Sequence, residues 1–304
     1  ALEHSANIEV AGSQDPTGNP DAGGDWMLES DGIDAGALYF DAAQLLSVEG
    51  LLQNEAPDNI FLTDRTPAAM QGSAVELTDT GASANAAFGS SLDVDGARLI
   101  VGEPGGGADG QAFVYVWNGS GWVQDGDVIA PGDYPVPASG VNFGAAVAID
   151  AGWVAIGDPD DGIGGHAHLV EWDGSTWTGQ DFNGAAGEAS GTAVALEGEW
   201  AFVGEPGADN VQIYRYGTPI PGVWVSSGTP ANPGAAGDQF GAALSVSGDW
   251  LFVGAPGHDG FGVDAGAVHV YHQNGGTWSY ADTLGGSGSS SGDQLGASIS
   301  VCGD

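Results

Sequence analysis

The chain has 304 residues, with 41 Asp and Glu against three arginines (Arg65, Arg98 and Arg215) and no lysine, giving a formal charge of −38. That charge excludes nucleic acid and anionic membrane as electrostatic partners, and the missing lysine removes any Schiff-base or phosphate-clamp chemistry built on an amine. Hydrophobic residues make up 42% of the chain, enough for a core, yet no apolar run approaches the 18 residues a membrane-spanning helix needs.

The 55 glycines follow no Gly-X-Y period, so collagen is out and the glycines read as turn formers. Cys302 stands alone, so no intramolecular disulfide is expected. Ala1-Leu2-Glu3-His4 has neither the basic start nor the apolar core of a signal peptide. The chain begins without Met and reads as a segment of a longer protein. Its acidity suits a solvated surface in a salty, halophilic or marine medium, or bulk binding of divalent cations; the two readings are compatible.

In chain order, residues 1–48 stand apart. Ile8–Ser13 reads as a short strand, Gln14–Pro20 as a loop and Gly24–Glu29 as a second strand. Residues 38–57 read as a short helix or strand, and 49–72 as a linker centred on Glu55-Ala56-Pro57-Asp58-Asn59. Ala74–Thr78 sits where the last strand of a preceding unit belongs.

From residue 73 a single phrase recurs. Phe88-Gly89 leads through Asp95-Gly96 to Gly102-Glu103-Pro104-Gly105, and Phe143-Gly144 leads through Ala151-Gly152 to Gly157-Asp158-Pro159. Ser190-Gly191 leads through Glu197-Gly198 to Gly204-Glu205-Pro206-Gly207. Phe240-Gly241 leads through Ser247-Gly248-Asp249 to Gly254-Ala255-Pro256-Gly257. A fifth copy opens at Leu295-Gly296. The Gly-x-Pro glycines at 102, 157, 204 and 254 set intervals of 47 to 55 residues. Each copy then continues with a Gly/Asp loop, a third strand (Ala112–Trp117; Ala267–Tyr271), a polar turn, a tryptophan and a weak fourth strand. Four strands at this period predict propeller blades, with strands near Ser90–Val94, Arg98–Val101 and Ala112–Trp117 and no helix longer than two turns.

These copies resemble FG-GAP repeats, the blades of integrin-α-type β-propellers, in the variant found in large secreted bacterial proteins. The pattern is met almost whole at 88–105 and 240–257; the copy at 143 lacks the final Gly, and the copy at 190 has Ser190 where Phe belongs. Val10-Ala11-Gly12-Ser13-Gln14-Asp15-Pro16-Thr17-Gly18 and Gly23-Gly24-Asp25-Trp26-Met27-Leu28-Glu29 resemble the tail of an uncharacterised caspase-like domain that heads large bacterial surface proteins. That family's Ser-His-Gly and Gly-Cys motifs are not in this chain, so no activity carries over.

The expected fold is therefore all-β: FG-GAP-type blades over 73–304, starting near 88, 143, 190, 240 and 295, behind a domain remnant at 1–48. Four full copies and the start of a fifth predict an open arc, with Ala74–Thr78 at its edge and a strand at 299–301 without its own second strand. The resemblance implies a non-catalytic adhesion, recognition or scaffolding module of a large secreted or cell-surface bacterial protein. Its partner would be a protein or glycan ligand, with no nucleic acid and no membrane insertion in this segment. The alternative is the propeller part of a polysaccharide-degrading or peptidase exoenzyme whose catalytic residues lie outside this chain.

The resemblance also implies calcium. Integrin-type blades hold it between their first two strands, but here that connection is as short as Asp93-Val94-Asp95-Gly96. It is too poor in oxygens for an ion that takes six to eight. The loop after Gly-x-Pro is the second place: Asp109, Asp158, Asp160, Asp161, Asp259 and Asp264 there read as turn formers or as a weak Ca²⁺ site. His166 and His168 alternate on one strand and share a face, where Asp158 or Asp161 would complete a metal trio or a polar strand face. No common histidine position is read across the copies. Trp117, Trp122, Trp172, Trp177 and Trp278 recur at the last hairpin of each copy, as blade packing or as a carbohydrate-stacking rim.

Overall fold

The computed structural model describes residues 27–28, 33–34, 60–62, 75–77 and 86–302, apart from 108, 127, 132–141, 160–163 and 287. Two compact units divide at Ala56/Pro57. In the first, β1 (Met27–Leu28) pairs antiparallel with β2 (Ile33–Asp34), so two of the six residues of the strand expected at 24–29 are in a strand and the other four lie outside the described residues. The strand expected at Ile8–Ser13 and the element expected at 38–57 lie outside the described residues.

The second unit holds four consecutive four-stranded antiparallel sheets, each in simple meander order. Blade 1 is β5 (Ser91–Asp95), β6 (Arg98–Glu103), β7 (Gln111–Trp117) and β8 (Trp122–Gln124). Blade 2 is β9 (Ala146–Asp150), β10 (Trp153–Asp158), β11 (His166–Trp172) and β12 (Trp177–Asn183). Blade 3 is β13 (Val194–Glu197), β14 (Trp200–Glu205), β15 (Asn210–Tyr216) and β16 (Trp224–Gly228). Blade 4 is β17 (Leu244–Ser247), β18 (Trp250–Ala255), β19 (Ala267–Asn274) and β20 (Thr277–Leu284). The fold is all-β, and the expected strands form within a residue or two; one short 3₁₀ turn, Pro206–Ala208, is the helical exception after residue 86 among the described residues.

The second strands of blades 2 and 3 are buried almost end to end because each lies between two blades, which is why they read as unbroken apolar runs; that of blade 1 is as buried, with Leu77 of β4 against it. Between blades 1 and 2, Ile100 and Val114 meet Val147, Ile149, Val154 and Ile156. Between blades 2 and 3, Ala155 and Leu169 meet Val194, Leu196, Val203 and Trp224. Between blades 3 and 4, Phe202 and Ile213 meet Leu251, Val253, Tyr271 and Trp278. Successive residues of a strand point to opposite faces, so blades 2 and 3 each feed two of these layers.

The repeated glycines have a specific cause. A Cβ on Gly102, Gly157, Gly204 or Gly254 would overlap the carbonyl oxygen of Gly144, Gly191, Gly241 or Gly296, the Phe-Gly glycine of the next copy. That partner glycine takes φ between +86° and +97° at each of the four seams. At three of them it also donates its N–H to its own blade's Gly-x-Pro glycine, Gly144 to Gly157 O at 3.0 Å, Gly191 to Gly204 O at 3.1 Å and Gly241 to Gly254 O at 3.0 Å. Both halves of the motif are thus demanded by backbone meeting backbone, not by a ligand.

The innermost strands follow one another around the arc, β5 against β9, β9 against β13 and β13 against β17, with no comparable packing of β17 onto β5. The arc is open. Two details differ from the sequence reading. β4 (Val75–Leu77) is present but pairs with β3 (Ile60–Leu62), inside the stretch read as a linker. Residues 299–301 form no strand: no second strand follows them among the described residues to pair with, and Val301 N–H donates to Ser245 Oγ at 3.1 Å.

Candidate functional site

The polar groups cluster in three places. The first is the innermost strand of each blade. Val147 N–H donates to Ser91 Oγ at 3.0 Å, Ile149 N–H to Asp93 Oδ2 at 2.8 Å and Ala151 N–H to Asp95 Oδ2 at 3.1 Å. Gly198 N–H likewise donates to Asp150 Oδ2 at 2.5 Å. Side chains of one blade therefore stand in for the strand that the next blade's edge lacks. The turn carboxylates crowd together here. Burial, and then the Asp150 and Asp95 charges, raise the Asp93 carboxyl against its backbone hydrogen bonds. Burial, Asp150 and Asp249 raise Glu197 in the same way.

The second place is the residue after the seam glycine. Glu103, Asp158 and Glu205 are all buried, at 0%, 2% and 3% exposure, while blade 4 has Ala255. Glu103 accepts from the Gln111 amide. Glu205 accepts from Asn210 Nδ2 at 2.7 Å and from Gln212 Nε2 at 3.2 Å. Asp158 ends β10 opposite His166; it is a buried strand residue and not, as read from sequence, part of the loop.

The third place is the histidines. His166 and His168 do share a face, their rings stacked at 5.9 Å and 7°. Their carboxylate is Asp181 on β12, 3.0 Å from His166 Nδ1 and 3.2 Å from His168 Nδ1. Sequence reading passed over Asp181, although counting the hairpin back from Trp172 opposite Trp177 places it against His168. Burial, with His166 alongside, pushes His168 down to about 3.

The statement that no histidine position recurs is corrected. His168 lies opposite Ile156 and His269 opposite Val253, both one residue before the seam glycine. His269 is buried, its Nδ1 2.8 Å from Thr283 Oγ1, and burial with His258 beside it lowers it to about 4. In both blades the imidazole packs on the Phe-Gly phenyl ring, Phe143–His168 at 5.1 Å and Phe240–His269 at 5.6 Å. Blade 1 has Phe113 there, against Phe88 at 5.4 Å. Blade 3 has Gln212 where the ring would be and Ser190 where the phenyl would be. The third strand starts nearer the seam glycine in some copies than in others, so the shared position does not show as a fixed spacing in the chain.

The carboxylates read from sequence as a weak calcium site belong to three different blades. Asp109 contributes its carbonyl, which accepts from Phe143 N–H at 3.1 Å across the seam. Asp259 Oδ1 accepts from Asp264 N–H at 2.9 Å, and Asp264 sits at φ 50°. Asp160 and Asp161 lie outside the described residues. Among the described residues no three His, Cys, Asp or Glu are arranged to hold a metal ion. Two carboxylates on one loop fall short of the six to eight oxygens calcium takes.

Trp172 and Trp177 pack in the layer between blades 1 and 2 and Trp278 in that between blades 3 and 4, while Trp117 and Trp122 pack on each other within blade 1 at 5.7 Å. Trp177 and Trp278 are buried, Trp117, Trp122 and Trp172 are half-buried, and Trp224 joins them at 2% exposure. The exposed aromatic and aliphatic side chains lie elsewhere, with Phe261 and Val263 on the loop after the fourth Gly-x-Pro, beside His258. His258 Nδ1 is 2.7 Å from the buried Asp238 carboxylate. No helix among the described residues is long and apolar enough to cross a membrane.

Among solved structures the chain is similar to a candidate 6-phosphogluconolactonase from Bacteroides uniformis, at 14% identity over 79% of this chain and 64% of that one, TM-score 0.49. A second, from Bacteroides fragilis, matches at 8% identity over 71% and 60%, TM-score 0.47. The Aleuria aurantia lectin, in complex with an α-methyl-fucoside, matches at 18% identity over 62% and 56%, TM-score 0.39. The chain thus spans less than two thirds of the length of each. No curated protein matches it. Residues 230–271, from the approach to Phe240 into the third strand of blade 4, match the FG-GAP repeat family model.

Proposed function

We propose that this chain is a non-catalytic recognition or scaffolding module of a large secreted or cell-surface bacterial protein, taking a protein or glycan ligand on its loops. The observation that supports this reading is where the recurring polar groups are spent. Ser91, Asp93, Asp95 and Asp150 hold the next blade's backbone, and Glu103 and Glu205 hold amides of their own blade. Chemistry that repeats from copy to copy serves the scaffold. What differs between copies is the loop after Gly-x-Pro, and surfaces that vary on a fixed frame are where binding is usually carried.

Array binding tests the reading. The labelled chain, with and without calcium, is applied to immobilised glycans and extracellular polypeptides and is assayed in parallel on chromogenic glycoside, ester and peptide substrates. Saturable binding without turnover is expected. Turnover that survives purification and disappears in Glu205→Gln or His168→Gln would overturn it.

A further inference from the structure

We propose that His258 and His269 form a two-histidine site for a divalent transition metal of the zinc, nickel and copper class, at the seam between blades 3 and 4. The site begins with an exchange found in blade 4 alone of the four. Blades 1 to 3 carry Glu103, Asp158 or Glu205 directly after the seam glycine, and blade 4 carries Ala255. Counted from that glycine, His258 stands where blade 1 has Gly106, and a Cβ on Gly106 would overlap the Glu103 carboxylate. Blade 4 thus starts an imidazole from the place where blade 1 packs a carboxylate. His269 on β19 meets that imidazole, with ring centroids 5.4 Å apart and planes at 85°.

Both rings are fixed as metal-binding histidines are fixed, one nitrogen held by an outer partner so that the other is presented. His258 Nδ1 is 2.7 Å from Asp238 Oδ2, and the buried Asp238 is itself anchored by the Ala235 N–H at 2.8 Å. His269 Nδ1 is 2.8 Å from Thr283 Oγ1, which in turn meets Tyr280 OH at 2.8 Å. The two Nε2 atoms are left. His269 Nε2 is buried without a hydrogen-bond partner, on the side of its ring turned from Thr283, an arrangement that costs free energy until something binds there. His258 Nε2 makes no hydrogen bond among the described residues, and Gly260 keeps it clear, since a Cβ there would overlap it.

A tetrahedral ion bonded to two imidazole nitrogens at about 2.0 Å holds the ring centroids about 5 Å apart, close to the spacing seen. His269 is fixed on its strand, whereas His258 sits on a loop and is part-exposed, so His258 is the ring that adjusts and the way in. No third His, Cys, Asp or Glu among the described residues converges there, so water fills the remaining positions. Imidazole selects zinc, nickel or copper over calcium and magnesium, which take oxygen. The −38 charge draws divalent cations toward the chain. Once bound, the ion ties the loop that carries Phe261 and Val263 to β19.

The metal alone is the probe. The whole chain, stripped with EDTA, is titrated with Zn²⁺ by calorimetry in about 10 mM Mg²⁺, which occupies oxygen sites and leaves imidazoles open. The wild type is expected to take up one ion more than His258→Gln or His269→Gln. The double variant His166→Gln/His168→Gln, in blade 2, is expected to keep that ion. His258 is on a loop, and His269→Gln gives blade 4 the residue blade 3 has at that position, so metal-free melting temperatures near the wild type's certify folding. Hydrogen exchange on the wild type needs no variant: amides of residues 256–266 should exchange more slowly in Zn²⁺ than in Mg²⁺ alone. No zinc uptake over the magnesium background, uptake that survives either blade 4 substitution, uptake lost in the blade 2 variant, or loop exchange unchanged by Zn²⁺ overturns the proposal.

Discussion

Blades 2 and 3 have the same strand order, the same seam glycine and nearly the same strand lengths, yet their middles are built from different chemistry. Blade 2 puts the Phe143 ring on His168, with His166 and Asp181 alongside. Blade 3 puts Ser190 and Gln212 at those positions, and its amide reaches Glu205 at 3.2 Å. The difference teaches that the seam glycines and the inter-blade apolar layer specify the blade. The layer between them accepts a ring pair or an amide–carboxylate pair.

The largest expected effect breaks both blades equally. Gly157→Val and Gly204→Val drive a side chain into a neighbouring backbone carbonyl that has no rotamer to yield. Each should cost more than the roughly 1–3 kcal/mol typical of overpacking, read as loss of a cooperative urea transition. A blade 3 variant that tolerates valine would show that its seam is held by something other than the glycine contact.

Next, Phe143→Ala should destabilise by about 3–5 kcal/mol, as for other buried rings. Ser190→Ala, at the equivalent position, should change stability by about 1 kcal/mol or less. Denaturant titration of the pair decides it, and equal losses would mean that Ser190 carries a network the geometry does not reveal.

A smaller effect separates the blades by pH. His168 is pushed down to about 3 and His269 to about 4 by burial, from an ordinary value near 6.5. Below pH 6.5 the unfolded chain takes up protons at these sites that the folded chain refuses. Stability therefore falls as pH drops, by about 1.4 kcal/mol per pH unit per fully titrating site, until the folded values are reached. Asp93 and Glu197 act in the opposite sense, since their raised carboxyls are relieved by protonation, but only nearer the carboxylate range. Between pH 6.5 and 5 the histidines dominate. Melting temperature should decline over that window in the wild type and decline less in His168→Gln, which gives blade 2 the residue blade 3 already has.

The smallest effect concerns ions. Melting temperature should rise with NaCl as the −38 charge is screened, and CaCl₂ at matched ionic strength should give the same rise. A surplus for calcium that disappears in Asp160→Asn/Asp161→Asn would assign an ion to the blade 2 loop. Blade 3 offers a contrast there: Asp209 is already committed to the Gly237 and Phe240 amides at 2.6 and 3.2 Å.

Much of the frame was legible before any coordinates. Short strands, tight turns and a 47- to 55-residue interval are local or periodic properties, and a repeat writes them four times. The site was less legible. Asp181 lies against His168 because of hairpin register, and His269 matches His168 because of distance from the seam glycine along a paired strand; neither relation is visible as spacing in the chain.

The sequence by itself determined that the chain is acidic, lysine-free, all-β and built of four-stranded units, because composition and strand periodicity are carried by each residue and its near neighbours. Only the tertiary structure decided what the motif glycines and inner-strand acids are for. Their partners, the Gly144 carbonyl against Gly102 and the Ile149 amide on Asp93, belong to the next copy some fifty residues away. Which backbone groups meet there depends on how two sheets stack, and that stacking is fixed by the shared apolar layer between them and not by either strand alone.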